Sequence, residues 1–396
     1  MTISKFWKIP ESAYIHIPFC RRRCFYCDFP ISVIGDKTEP SQFPPIDIYI
    51  QWLEKEINLT ENLGKPLKTI FFGGGTPSLL PVKGLSTILE SLKNKFGIAQ
   101  DIEISIEIDP GTFTADRLRQ YQDLGINRIS LGVQAFQDEL LKACGRSHDL
   151  KQIWDSISYL QEVKFTNFSL DLISGLPHQS LEQWDESLKQ AISVSCAHIS
   201  CYDLVLEATT PFGKIYNAGR LPLPTEEVTA AMYRMAQRQL TQVGYEHYEI
   251  SNYARDGYQC QHNRVYWENQ SYYGFGMGAA SYIQGIRHTR AHKRSDYYKY
   301  VESLESRQCK LSPVKNNKKD LLLETLMLGL RLAEGISLEK IEYEFGQEIK
   351  DILISLMQEY LQNGWVNILP ERIHLSDPDG FLFSNVVLTR IFERFS

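Results

Sequence analysis

Three cysteines stand within eight residues, Cys20-Arg21-Arg22-Arg23-Cys24-Phe25-Tyr26-Cys27. Thiolates are the ligands of iron–sulfur clusters and of structural zinc. A four-iron cluster normally takes four cysteines, so a loop of three leaves one iron open to a ligand that is not protein. A tetrahedral zinc could use the same thiolates with His16 or Asp28. Structural zinc sites, however, pair two short Cys-x-x-Cys or His spacings from separate loops, and no second pair is present. A disulfide framework fits less well, because the chain is long, no secretory signal is read, and Cys144, Cys196, Cys201, Cys260 and Cys309 are scattered. The cluster loop is the stronger reading.

Two further stretches carry chemistry. Gly73-Gly74-Gly75-Thr76-Pro77 would let a ligand approach the backbone and meet its N–H and C=O groups, or would simply make a tight turn with Ser78 capping the next helix. In Ile102-Glu103-Ile104-Ser105-Ile106-Glu107-Ile108-Asp109 the isoleucines alternate with polar residues, so one face packs on helices and the other is polar. An edge strand with a wetted face gives the same pattern.

These residues need a frame. The first half alternates short apolar runs with amphipathic stretches, the pattern of repeated β-α units around a parallel sheet. Strands are read at about 13–18, 69–72, 102–108, 128–133, 167–173 and 198–205, and helices near 47–61, 82–96, 114–124, 138–162 and 181–194. The expected fold is α/β, an incomplete (β/α)6 barrel over residues 1–215 with its working residues at the C-terminal strand ends. Residues 216–312 read as an intermediate region, with a helix at 225–243 after Pro222 and Pro224. Past the polar run Lys315–Asp320, read as a linker, residues 313–396 read as a mainly helical, winged-helix-like domain with helices at 321–332, 338–345 and 349–363, a hairpin at 365–375 and a last helix from about 385.

Composition narrows the function classes. A hydrophobic fraction of 43% is ample for a large core. With 42 basic and 48 acidic residues the chain has no global attraction for nucleic acid, so the C-terminal unit is expected to pack or to bind a partner and no nucleic-acid partner is expected. No apolar run of about 18 residues and no charged-then-apolar leader is read, so neither a membrane span nor an export signal is expected. The expected location is the cytoplasm, with reduced cysteines and any membrane contact made through a partner. The 21 tyrosines and 19 phenylalanines would suit a flat aromatic ligand, although core packing uses the same residues.

The spacing C-x3-C-x2-C resembles the signature of the radical S-adenosylmethionine (SAM) superfamily, in which three cysteines hold a [4Fe-4S] cluster and SAM chelates the fourth iron. Tyr14-Ile15-His16-Ile17-Pro18-Phe19-Cys20 and Cys27-Asp28-Phe29 are similar to the branch containing the oxygen-independent coproporphyrinogen III oxidases and the HemW haem chaperones. The likeness recurs across most of the chain. It implies that Cys20, Cys24 and Cys27 hold the cluster, that Gly74, Gly75 and Thr76 meet the amino group of SAM, and that Glu107 meets its ribose. Gln134, Arg146 and Asp171, with Tyr14 and Tyr26 beside the cluster, fall on further SAM contacts, and Val205 and Ala280 align through apolar residues alone. An electron donor for the cluster is implied; whether SAM is cleaved is left open.

Within the branch, the oxidases have a further cysteine two residues after the third, where this chain has Phe29. His262-Asn263-Arg264-Val265-Tyr266-Trp267 resembles the H-N-x-x-Y-W motif of the haem-binding HemW group, and imidazole is a common axial ligand of haem iron. His262 is therefore expected to touch haem, the alternative being a histidine satisfied in an aromatic core. The basic run Arg287-His288-Thr289-Arg290-Ala291-His292-Lys293-Arg294 would pair with porphyrin propionates or form a solvated face. Gly274-Phe275-Gly276-Met277-Gly278 opens no βαβ unit, so it is not read as a dinucleotide loop; the family resemblance implies that it borders the SAM pocket. The resemblance implies a haem chaperone that binds haem, SAM and a [4Fe-4S] cluster and delivers haem to apo-haemoproteins. The competing readings are a coproporphyrinogen III oxidase of porphyrin biosynthesis, which Phe29 disfavours, and a winged-helix regulator that uses its cluster as a sensor.

Overall fold

The computed structural model describes residues 8–36, 43–307 and 318–395. The first strand, β1 (Ser12–Ile17), buries Ala13, Ile15 and Ile17 completely and runs into the cysteine loop. The base of that loop is closed by the short parallel pair β2 (Phe19–Cys20) and β3 (Ser32–Val33). Then follow α1 (Pro44–Leu59), β4 (Leu67–Gly74), α2 (Val82–Phe96), β5 (Ile98–Ile108), α3 (Ala115–Asp123), β6 (Arg128–Gln134), α4 (Asp138–Ala143), α5 (Leu150–Glu162), β7 (Phe168–Ser174), α6 (Leu181–Val194) and β8 (His198–Asp203). Strands β1, β4, β5, β6, β7 and β8 pair in parallel, in that order.

Local chemistry sets these boundaries. Thr114, Asp149 and Ser180 cap α3, α5 and α6 by accepting from the backbone N–H of Arg117, Gln152 and Gln183, and the last two complete capping boxes. In β5, Ile104, Ile106 and Ile108 are all buried, while Glu103, Ser105 and Glu107 alternate with them on the inner face.

The chain continues through α7 (Pro211–Ile215), α8 (Glu226–Gln242), β9 (Glu246–Glu249), β10 (Asn252–Ala254), α9 (Gln261–Trp267), β11 (Tyr273–Phe275), the hairpin β12 (Ala280–Ile283) and β13 (Ile286–Thr289), and α10 (Arg294–Arg307). Strand β11 joins β1 in parallel, and β10 joins β8 antiparallel, giving the order β11-β1-β4-β5-β6-β7-β8-β10-β9. The edge strands β11 and β9 do not pair with each other among the described residues, so the barrel stays open. One hydrophobic core runs from Ala13 to Val301, so the barrel strands and the segment up to α10 are packed together. Inside this packing Glu56 of α1 is fully buried; it accepts from Arg290 Nε at 2.9 Å, Gly276 N at 2.8 Å and Tyr297 Oη at 2.8 Å.

A second core belongs to α11 (Lys318–Gly329), β14 (Ile336–Ser337), α12 (Leu338–Phe345), α13 (Gln347–Gln362), β15 (Val366–Ile368), β16 (Arg372–Leu375), α14 (Asp379–Leu382) and α15 (Ser384–Phe395). Its sheet order β14-β16-β15 beside the helices is winged-helix-like. No helix among the described residues is long and apolar enough to cross a membrane.

The structure departs from the sequence reading in one way that matters. The helix expected over 138–162 is two helices, broken at Cys144–Asp149. Gly145 takes a positive φ of 73°, and Asp138 accepts the first N–H of α5 at 2.7 Å, so the break is built by side chains as well as by glycine. It turns Arg146 toward the strand ends. Of the expected linker Lys315–Asp320, residues 315–317 lie outside the described residues and 318–320 open α11. Cys309 and residues 1–7 also lie outside them.

Candidate functional site

A cavity of about 590 Å³ runs through the barrel from the cysteine loop to α9. These expected site residues line it: Cys20, Cys24 and Cys27; Tyr14 and Tyr26; Gly74, Gly75 and Thr76; Glu107, Gln134, Arg146, Asp171 and His262. Parallel pairing explains much of this convergence. Glu107 lies opposite Ser130, Gly132 opposite Asp171, and Asp171 opposite Ser200, so polar residues of neighbouring strands share the inner face.

The cysteine loop is held from several sides. Phe25 N–H donates to Cys144 O at 2.9 Å, Cys27 N–H to Cys24 O at 3.2 Å, and Arg23 Nη1 to Cys27 O and Phe29 O at 3.2 and 3.1 Å. Cys20, Cys24 and Cys27 are partly exposed free thiols, whereas Cys144, Cys196, Cys201 and Cys260 are buried ones. Among the described residues no three His, Cys, Asp or Glu side chains converge closely enough to hold a single metal ion. His16, the expected fourth arm of a zinc site, is buried with Nδ1 bonded to Tyr14 Oη at 3.1 Å and Nε2 to Pro30 O at 2.9 Å. Three separate thiols facing one cavity suit a cluster better than a lone ion. Burial pushes the Cys20 and Cys27 thiols above their ordinary value, with Asp109 adding to the effect at Cys20.

Around the thiols the polar groups are closely linked. Thr76 Oγ1 lies 3.7 Å from Cys20 Sγ and donates to Asp109 Oδ2 at 2.9 Å. Arg146 Nη1 lies 3.5 Å from Cys24 Sγ, and Nη2 reaches Asp109 Oδ1 at 2.5 Å and Gly132 O at 3.0 Å. Burial alone would raise the Asp109 carboxyl, but the Arg146 guanidinium, with His148 and Thr76, holds it below the usual carboxylate range. Glu107 Oε2 accepts the Gly74 N–H at 2.9 Å, and burial, with Asp171 and Asp109 nearby, pushes its carboxyl up to about 8. Gly75 must be glycine, since a Cβ there would come within 2.7 Å of Ile17 O and 2.8 Å of Phe19 O. Gln134 ends β6 at a positive φ of 68°, a strained backbone kept at the cavity wall.

His262 stands at the other end of the cavity. It is fully buried, with Nδ1 bonded to Thr69 Oγ1 at 2.7 Å and Nε2 to Tyr266 Oη at 2.8 Å, and its ring stacks on Phe71 at 5.2 Å. Burial, helped by Arg128, lowers its pKa to about 3, so the ring is neutral. Glu103 fixes the start of α9 by accepting from Gln261 N at 3.0 Å and His262 N at 3.1 Å. Thr69 and Gly74 are five residues apart on β4, so His262 sits roughly 16 Å of strand below the glycine turn.

Other expectations come out differently. Arg290 is buried against Glu56, and Arg287 pairs with Glu324 at 2.5 Å while donating to Tyr272 Oη at 2.7 Å, so these two arginines of the basic run already have acidic partners. Gly274–Gly278 does not border the cavity but packs behind the cysteine loop. There Gly276 has a positive φ of 98° and would place a Cβ 2.4 Å from Tyr49 Oη. Val205 lines the cavity and Ala280 does not. Asp109, Arg128, Tyr202 and Tyr266 line it without having been singled out as ligand contacts. The signal for Arg128 and Tyr202 was their parity with Ser130 and Ser200 on adjacent inner faces.

The comparisons agree with this geometry. Residues 14–191 match the radical SAM superfamily and residues 316–382 the HemN C-terminal domain. The heme chaperone HemW of Synechocystis sp. is 45% identical over 400 aligned residues, which cover 97% of both chains. HemW of Bacillus subtilis is 34% identical, covering 95% of this chain and 98% of its own. HemW of Escherichia coli is 41% identical over 68% of this chain and 69% of its own. Among solved structures, the coproporphyrinogen III oxidase HemN of Escherichia coli superposes with a TM-score of 0.80 at 24% identity, covering 98% of this chain and 91% of its own, a likeness of fold. The chain belongs to the radical SAM superfamily and, within it, to the family of the HemW haem chaperones.

Proposed function

We propose that this protein is a cytoplasmic haem chaperone that binds haem, SAM and a [4Fe-4S] cluster and passes haem to apo-haemoproteins. The observation that carries the reading is the near-full-length likeness to HemW proteins, 45% identity over 97% of both chains in the Synechocystis case. Phe29, 54% exposed at the cavity lip, supports it against the oxidase reading, because it occupies the position of the oxidases' further cysteine. The likeness to HemN is one of fold and adds no activity.

In this reading Cys20, Cys24 and Cys27 hold the cluster, which an external electron donor reduces. Gly74, Gly75, Thr76, Glu107, Gln134, Arg146 and Asp171 hold SAM, with Tyr14 and Tyr26 against it, and His262 meets haem. When bound, the cluster and SAM supply one-electron reduction at a sulfonium. The chain's own residues orient and insulate. The Gly74 N–H is aimed by Glu107, whose carboxyl, raised to about 8, is mostly protonated at neutral pH, and Arg146 sets a fixed cation beside Cys24. In the same reading residues 1–215 are the barrel unit, 216–312 the intermediate region that carries His262, and 313–396 the C-terminal winged-helix-like unit.

The test is a paired anoxic assay on reconstituted full-length protein. Haem-loaded protein is mixed with apo-myoglobin, and transfer is followed by the shift of the Soret band. Separately, SAM, a reductant and coproporphyrinogen III are supplied. Transfer without porphyrinogen turnover is expected; formation of protoporphyrinogen would overturn the chaperone reading.

A further inference from the structure

We propose that Asp109 is a positioning residue that tunes the cluster through two of its three cysteines. Each of those cysteines faces one side-chain donor, Thr76 at Cys20 and Arg146 at Cys24, with heavy-atom distances of 3.7 and 3.5 Å. One carboxylate holds both donors: Oδ2 accepts from Thr76 and Oδ1 from Arg146, at 2.9 and 2.5 Å.

The two donors are not equivalent. A threonine hydroxyl has one hydrogen, so it donates either to the carboxylate or to the sulfur. With the ionised Asp109 oxygen at 2.9 Å and Cys20 Sγ at 3.7 Å, the hydrogen goes to the carboxylate. Arg146 has donors enough to serve Asp109, Gly132 O and Cys24 at once. Asp109 therefore withholds a hydrogen bond from Cys20, fixes a cation on Cys24, and places its own negative charge beside the loop.

Hydrogen bonds to the cluster sulfurs and the charge around them set iron–sulfur potentials. Reduction adds an electron, so a nearby anion and a withheld hydrogen bond both oppose it. Asp109 keeps the cluster hard to reduce until something displaces it from Thr76 or Arg146. The carboxylate end of SAM has that chemistry, since it would compete with Asp109 for the same guanidinium. The proposal rests on the cluster reading and is independent of the haem reading.

The experiment is an EPR-monitored redox titration of full-length protein rebuilt anoxically with iron and sulfide, without SAM. Asp109→Asn is expected to raise the reduced-to-oxidised ratio at a given potential about tenfold, which is about 59 mV for a one-electron couple. Arg146→Gln is expected to shift the couple in the opposite direction, because it removes the cation. Thr76→Val alone should leave it within about twofold of wild type, since its hydrogen is not on Cys20, and should remove part of the Asp109→Asn shift when combined with it. Opposite signs for the two charge substitutions are what general loosening of the site would not produce. Three results overturn the proposal: a wild-type couple in Asp109→Asn, shifts of the same sign in both charge variants, or an Asp109→Asn chain that retains less iron and sulfide than wild type, which makes the carboxylate a structural prop. A wild type with no four-iron signal defeats the cluster reading itself, and is seen before any substitution is made.

Discussion

Tyr266→Phe is expected to tighten haem binding. His262 spends both ring nitrogens inside the protein, Nδ1 on Thr69 Oγ1 at 2.7 Å and Nε2 on Tyr266 Oη at 2.8 Å. A haem iron takes the lone pair of a neutral imidazole, so ligation through Nε2 must first break the Tyr266 bond. Thr69 is undisturbed by this, because a neutral ring can keep its hydrogen on Nδ1. A buried neutral hydrogen bond of this kind is worth about 0.5–1.5 kcal/mol net. Removing the phenol hydroxyl lifts that cost and, at 1.4 kcal/mol per tenfold, improves haem affinity roughly 2- to 12-fold. The assay is an anoxic Soret titration of wild type, Tyr266→Phe and His262→Ala. His262→Ala should bind more weakly, because it removes the expected axial ligand. Equal or weaker binding in Tyr266→Phe, together with unchanged binding in His262→Ala, would place the iron away from His262 and refute the reasoning.

Other outcomes follow from the same geometry. Arg290→Met leaves Glu56 buried without its cation and should cost about 3–5 kcal/mol, seen as a lower urea midpoint that the double variant with Glu56→Gln partly restores. Glu107 ionises at about 8 in the folded chain against 4.5 ordinarily. Between those values the folded state binds more protons than the unfolded one, so its contribution is complete below 4.5 and is lost as pH rises through about 8. Urea midpoints over that range should fall more steeply in wild type than in Glu107→Gln, and equal slopes would count against a protonated Glu107. Ser180→Ala removes half of the α6 capping box and should cost about 1 kcal/mol by the same measurement.

Much of this was readable from residue patterns, for local reasons. The alternation in β5 is enforced by period-2 geometry whatever surrounds it, and Ile104, Ile106 and Ile108 are buried as the pattern requires. The cysteine spacing and the glycine turn are likewise local, and both reached one cavity. The break between α4 and α5 was also legible: Asp149 with Gln152 is a capping signal, overridden by the long amphipathic run around it. What stayed hidden is long-range. Glu56 and Arg290 are 234 residues apart, and nothing local marks Arg290 as a buried partner rather than one charge of a basic run. The Thr69 bond of His262 joins β4 to α9 across 193 residues, which only the tertiary packing determines, whereas its Tyr266 bond is an i,i+4 contact within α9. Asp109 was quoted in the strand and passed over, because its role arises from a loop on another unit turning Arg146 inward.

The order of the chain has a consequence for assembly. The thiols leave the ribosome early, but the wall behind them is made late: β1 lacks one neighbour until β11 at residues 273–275 exists, and Glu56 lacks its partners until Gly276, Arg290 and Tyr297 do. A nascent chain shorter than this carries an unpaired strand edge at β1 and an uncompensated carboxylate on α1. Truncations ahead of α10 are therefore expected to retain less iron than the full chain after anoxic reconstitution, even though every cysteine of the loop is present.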